Sequence, residues 1–177
     1  MKDRRGFTLI EILIVVAIIG IGATIATTNF LLWQNHYSGV GFQREFLSKI
    51  NEARTRSMTA SLQHRLLIDQ GAETVVLQRG DLGTGSSIWT NVAQPIVGSR
   101  GAGIASIDNC SPAVSGPLFA LLFNPDGEVL VQDITAGTAA APLTKAYIRI
   151  SATSAADRAT ITVFGWTSKV RLANGWL

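Results

Sequence analysis

Three residues near the N-terminus have the types and spacing to do chemistry: Gly6, Phe7 and Glu11. The Gly6-Phe7 step separates a basic start, Met1-Lys2-Asp3-Arg4-Arg5, from a long apolar run, and Glu11 sets a carboxylate inside that run. From Ile12 to Gln43 there is no formal charge, only the histidine His36. A charge at the centre of a membrane helix costs about 2.5–3.5 kcal/mol on insertion scales, and less near the helix end. An acid kept at that cost marks a functional site and calls for a partner.

Other chemistry finds little support. The two histidines, His36 and His64, are far apart in the chain, and His36 falls in a predicted helix. Cys110 is the single cysteine, so it forms no internal disulfide, and no neighbouring histidine and acid activate it. No metal-ligand spacing or phosphate loop occurs, and Gly20 and Gly22 are too short a pattern for one. The sequence therefore offers no catalytic residue, no metal site and no cofactor, and an enzyme is not expected.

Three readings of the first thirty residues compete. A secretory signal peptide would use Ile12–Ala26 as its apolar core and Thr24-Ile25-Ala26 as its small-residue cleavage site. That mechanism needs no carboxylate between the basic start and the core. A plain membrane anchor explains the apolar run and leaves Glu11 idle. The third reading uses every residue. Gly6-Phe7-Thr8-Leu9-Ile10-Glu11 followed by the Ile/Val/Ala run resembles the class III signal of type IV pilins and type II secretion pseudopilins.

The resemblance implies that a prepilin peptidase cuts between Gly6 and Phe7, removing residues 1–6, and that the new terminal Phe7 is N-methylated. Glu11 then lies one helical turn, about 6 Å, from a terminal amine that did not exist before cleavage. Pairing the Glu11 carboxylate with the amine of a neighbouring subunit relieves two desolvation penalties and gives assembly an axial register. A simpler role for Glu11, an acid at a helix N-terminus, is worth about 0.3–1 kcal/mol and would be met equally outside a membrane. Many relatives carry a proline a turn beyond the apolar run; here the chain reads Ala26-Thr27-Thr28-Asn29-Phe30, which puts a melted segment there in doubt.

The elements that must position these residues follow from periodicity. Phe42, Phe46, Ile50, Ala53 and Ser57 recur at helical spacing, with Arg44, Glu45, Lys49, Glu52, Arg54 and Arg56 on other faces. A single helix is predicted over 7–61, with about 7–32 spanning the membrane and Gly39 and Gly41 as a weak point between its halves. Residues 64–177 read as a β-rich globular domain outside the cytoplasm, with strands at 65–69, 74–79, 88–92, 118–123, 128–132, 146–151, 160–164 and 169–172. Asn124-Pro125-Asp126-Gly127 and Gly165-Trp166-Thr167-Ser168 read as turns, and 98–117 (with Cys110) and 135–144 as loops. The fold class is α+β, a long helix packed on an antiparallel sheet.

Bulk composition agrees. Hydrophobic residues are 47% and charged residues 15% of the 177, low for a soluble domain and in keeping with a membrane segment. The net charge of +3 is mostly leader: taking Lys2, Arg4 and Arg5 from 15 basic groups and Asp3 from 12 acidic ones leaves 12 and 11. The basic start fits a cytoplasmic N-terminus, and the resemblance implies the inner membrane.

The helix end Asn51-Glu52-Ala53-Arg54-Thr55-Arg56-Ser57-Met58, the Phe123–Gly127 turn and the strands between and beyond them look like the GspH/FimT branch of minor pseudopilins and minor pilins. That resemblance implies a structural subunit, in the shaft or at the tip of a secretion pseudopilus or a pilus. Its partners would be prepilin peptidase, other pilin subunits, the inner-membrane assembly platform and membrane lipid. The rival is a DNA-binding minor pilin, with Lys169 and Arg171 on one face of the final strand. Trp166 stands where DNA-binding FimT-type relatives carry an arginine after the glycine.

Overall fold

A computed structural model describes residues 9–176. The leader and the Gly6-Phe7 step lie outside the described residues. The chain divides into two compact units, Met1–Gln34 and Asn35–Leu177. One helix, α1 (Leu9–Ala60), supplies the described part of the first unit and continues into the second.

In the first unit the side chains from Leu9 to Trp33 are exposed, as expected of a helix whose solvent is lipid. Thr24, Thr27 and Thr28 donate their hydroxyls back to the carbonyls of Gly20, Ala23 and Thr24 at 2.8, 2.7 and 3.1 Å. Those bonds satisfy polar groups that an apolar medium would otherwise penalise. With no proline at 26–30, α1 runs through that segment unbroken.

In the second unit the α1 stripe is buried: Phe42, Phe46, Ile50, Ala53 and Ser57, joined by Gly39 and Gln43. Phe46 and Ile50 are wholly buried, each worth about 1.5–3 kcal/mol in area removed from water. The helix runs unbroken through Gly39 and Gly41. A Cβ at Gly39 would stand 3.2 Å from Ala152 Cβ, so this glycine serves close packing, while Gly41 faces open space.

The strands are β1 (His64–Asp69), β2 (Thr74–Gly80), β3 (Trp89–Asn91), β4 (Ile96–Val97), β5 (Gly103–Ser111), β6 (Leu118–Phe123), β7 (Val129–Asp133), β8 (Ala141–Pro142), β9 (Lys145–Ser151), β10 (Ala159–Phe164) and β11 (Val170–Asn174). They form two antiparallel sheets rather than one. The larger runs β3-β2-β1-β6-β7-β8, with β4 also paired to β2, and the smaller runs β11-β10-β9-β5. The architecture is α+β and pilin-like: a long N-terminal helix followed by antiparallel sheets.

The eight predicted strands correspond to β1, β2, β3, β6, β7, β9, β10 and β11. The expected loop at 98–117 is corrected by β5, which pairs with β9 along most of its length. Register shifts between Ile104 and Ser106 and between Asp108 and Ser111 break the alternation that would have revealed β5. The loop at 135–144 holds the two-residue β8 at a sheet edge, where Pro142 costs no ladder bond.

Both expected turns form. Gly127 takes φ +92° in the β6–β7 turn, and its N–H donates to Asn124 O at 3.0 Å. The β10–β11 turn closes through Phe164 N to Lys169 O at 3.0 Å. A Cβ at Gly165 would fall 1.5 Å from Leu143 O, so only glycine lets the smaller sheet approach that backbone.

Candidate functional site

Glu11 sits in the first described turn of α1 and is exposed on the helix surface. The apolar residues around it are exposed too: Ile10 at 66%, Leu13 at 61% and Ile14 at 51%. A helix clothed in exposed aliphatic side chains, with one carboxylate among them, needs either lipid or other helices around it. Gly6 and Phe7, the expected processing residues, lie outside the described residues.

Lys169 precedes β11 and Arg171 lies within it; both are exposed, while Val170 and Leu172, which alternate with them, pack against the core. The register shows what joins them. Arg171 pairs through Thr162 with Tyr147, and Lys145 lies opposite Phe164. Lys145 Nζ stands 4.2 Å from the Tyr147 ring centre and 5.7 Å from that of Phe164. Arg149, on the same face of β9, reaches Asp108 Oδ2 at 3.2 Å. Further along, Arg158 and Arg149 lie 4.6 and 5.7 Å from the Trp176 ring. The outer face of the smaller sheet thus interleaves cations with aromatic rings. Sequence reasoning found two of these cations; the alternation of Lys145, Tyr147 and Arg149 with Ala146, Ile148 and Ile150 held the signal for Lys145 and Arg149.

The remaining candidates have structural occupations. His36 Nδ1 donates to Asp157 Oδ1 at 2.6 Å, and His64, buried at the start of β1, donates from Nδ1 to Leu62 O at 2.9 Å. Burial holds the His64 pKa below its ordinary value. Cys110 lies on the edge strand β5, half-buried against the core, and burial pushes its thiol up to about 11. Among the described residues no three His, Cys, Asp or Glu side chains stand together as a metal site would require.

A long apolar helix leading into antiparallel sheets is the build of a pilin-type subunit, and α1 is long and apolar enough to cross a membrane. Residues 1–27 match the family model described as the prokaryotic N-terminal methylation motif, which marks the type IV pilin and pseudopilin family and its processing by prepilin peptidase. No curated protein and no solved structure matches this chain.

Proposed function

We propose that this chain is a minor structural subunit of a type IV filament system, either a secretion pseudopilus or a pilus, of the GspH/FimT kind. The observation that carries the reading is the methylation motif over residues 1–27, with Glu11 as the one acidic residue among the exposed, largely aliphatic positions 9–33. Prepilin peptidase cuts between Gly6 and Phe7, and Phe7 becomes the methylated N-terminus. The chain waits in the inner membrane with about 7–32 spanning it and 64–177 on the periplasmic side. The assembly platform then moves it into the filament, or to its tip, where Glu11 meets the terminal amine of a neighbouring subunit. The role is structural and non-enzymatic. In Gly6→Ala, mass spectrometry of the membrane fraction should find the leader still attached; a normally shortened chain would remove the basis for this assignment.

A second reading has its own support. The cations on the outer face of the smaller sheet, Lys145, Arg149, Lys169 and Arg171, alternate with rings on which bases can stack. On this reading the subunit binds DNA. Lys169→Ala with Arg171→Ala should weaken DNA binding and lower its salt dependence by about one unit per lost phosphate contact. Unchanged affinity and salt slope would end this reading.

A further inference from the structure

Cross-strand register arranges the outer face of the smaller sheet in rows. In the first, Lys145 lies opposite Phe164, whose N–H donates to the carbonyl of Lys169, so in the register Phe164 sits between two lysines. In the second, Tyr147 lies opposite Thr162, and Thr162 opposite Arg171. In the third, Arg149 lies opposite Thr160, with the Trp176 ring 5.7 Å from the Arg149 guanidinium. Neighbouring strands are about 4.8 Å apart and same-face residues along a strand about 7 Å apart, so rings and cations alternate within a side chain's reach. Asp108 is the one acid in these four strands, and it is paired with Arg149 at 3.2 Å.

Trp176 carries the sharper signal. It lies beyond the last strand, yet three hydrogen bonds tie it and its neighbour down. Thr160 donates its hydroxyl to Gly175 O at 2.8 Å, Gly175 N–H donates to Arg158 O at 2.7 Å, and Trp176 Nε1 donates to Ile150 O at 3.2 Å. Gly175 takes φ +82°, which turns the chain back toward β10. Trp176 nevertheless stays 45% exposed, with the Arg158 guanidinium 4.6 Å from its ring centre. Its single polar donor is spent within the fold, so what it offers a ligand is ring surface. A ring fixed in advance binds at little cost in side-chain entropy.

The pairing of rings with cations says which nucleic acid fits, a step that rests on the DNA-binding reading above. Duplex DNA turns its phosphates outward and keeps its bases stacked inside, so it would meet the cations and leave the rings idle. An acidic protein surface would do the same. A single strand brings phosphates and unstacked bases together, and every base has a face that can stack. We propose that the outer face of the smaller sheet binds single-stranded DNA, with Trp176 and Tyr147 as stacking platforms and Lys145, Lys169 and Arg171 on the phosphates. Lys145 Nζ stands 4.2 Å from the Tyr147 ring centre. Stacking a base on that ring is worth more than an exposed cation–ring contact, so the base takes the ring and Lys145 swings to a phosphate.

The test uses the full chain in detergent and the fluorescence anisotropy of one labelled oligonucleotide, single or annealed to its complement. The single strand should bind at least about 5-fold tighter than the duplex. Trp176→Ala should weaken single-strand binding by about 5- to 140-fold, the worth of one stacked base, and leave duplex binding unchanged. Trp176→Phe, which keeps a ring, should restore most of the loss. Tyr147→Leu, on the interior strand β9, should weaken single-strand binding in the same way and keeps the test decisive if Trp176→Ala lowers the melting midpoint. Duplex binding as tight as that of the single strand, or a preference that survives both Trp176→Ala and Tyr147→Leu, overturns the proposal. So does polyglutamate that competes as well as unlabelled single strand, since the cations would then be acting alone. Equal binding of both DNA forms that falls in the Lys169/Arg171 variant leaves the DNA reading standing and sinks only the single-strand site; no binding of either form sinks both.

Discussion

The side-chain amide of Gln63 donates to Asn124 Oδ1 at 2.7 Å, and both residues are buried. This bond ties the segment leaving α1 to the β6–β7 turn. Ser57 reaches the Asn124 carbonyl from the last turns of α1 at 3.3 Å, and a Cβ at Gly127 would stand 3.1 Å from Met58 Cε. Two short motifs that lie far apart in the chain, the Asn51–Met58 helix end and the Phe123–Gly127 turn, are thus one packed corner of the fold.

Asn124→Ala should destabilise the protein by about 1–3 kcal/mol, because it leaves the buried Gln63 amide without its acceptor. Denaturant unfolding of the full chain in detergent measures it. Adding Gln63→Ala should cost less than the sum of the two single changes, and strict additivity would show the bond to be idle.

Acid sensitivity should concentrate at Asp133. Its carboxylate accepts from Ala136 N at 2.9 Å, from Ser115 N at 2.8 Å and Oγ at 3.0 Å, and from Gly116 N at 3.1 Å. Those bonds, led by Ala136 and Ser115, lower its pKa to about 2. A folded pKa below the unfolded value of about 3.9 means stabilisation that is complete above that value and lost as pH falls toward about 2. Asp133→Asn should be less stable at neutral pH and lose less further stability across that acid window. The denaturation midpoint followed against pH decides; parallel profiles for the two proteins would contradict the assignment.

Cys110 should be a slow thiol. With its pKa pushed up to about 11, little thiolate exists near neutral pH, and half-burial limits access to what there is. Iodoacetamide should label it much more slowly in the folded chain than in urea, whereas equal rates would mean that β5 opens freely.

Helical spacing made the buried stripe of α1 readable because one face of that helix meets a core and the other meets water. Strands with clean alternation, such as β1 and β9, were readable for the same reason. Bulges hid β5, since an extra residue shifts the inward positions by one. Gly39 was only half readable, because a glycine in a helix has two uses, flexibility and close approach, and the approach to Ala152 is invisible in local sequence. Glu11 stood out by its cost alone.

Glu11 is proposed to serve assembly, and one measurement tests that role most directly. Glu11→Val should insert and be processed as wild type, since it removes a charge from an apolar helix. Its share in sheared or purified filaments, relative to the membrane pool, should fall steeply. Filament incorporation equal to wild type would contradict the account and reduce Glu11 to an acid at a helix end.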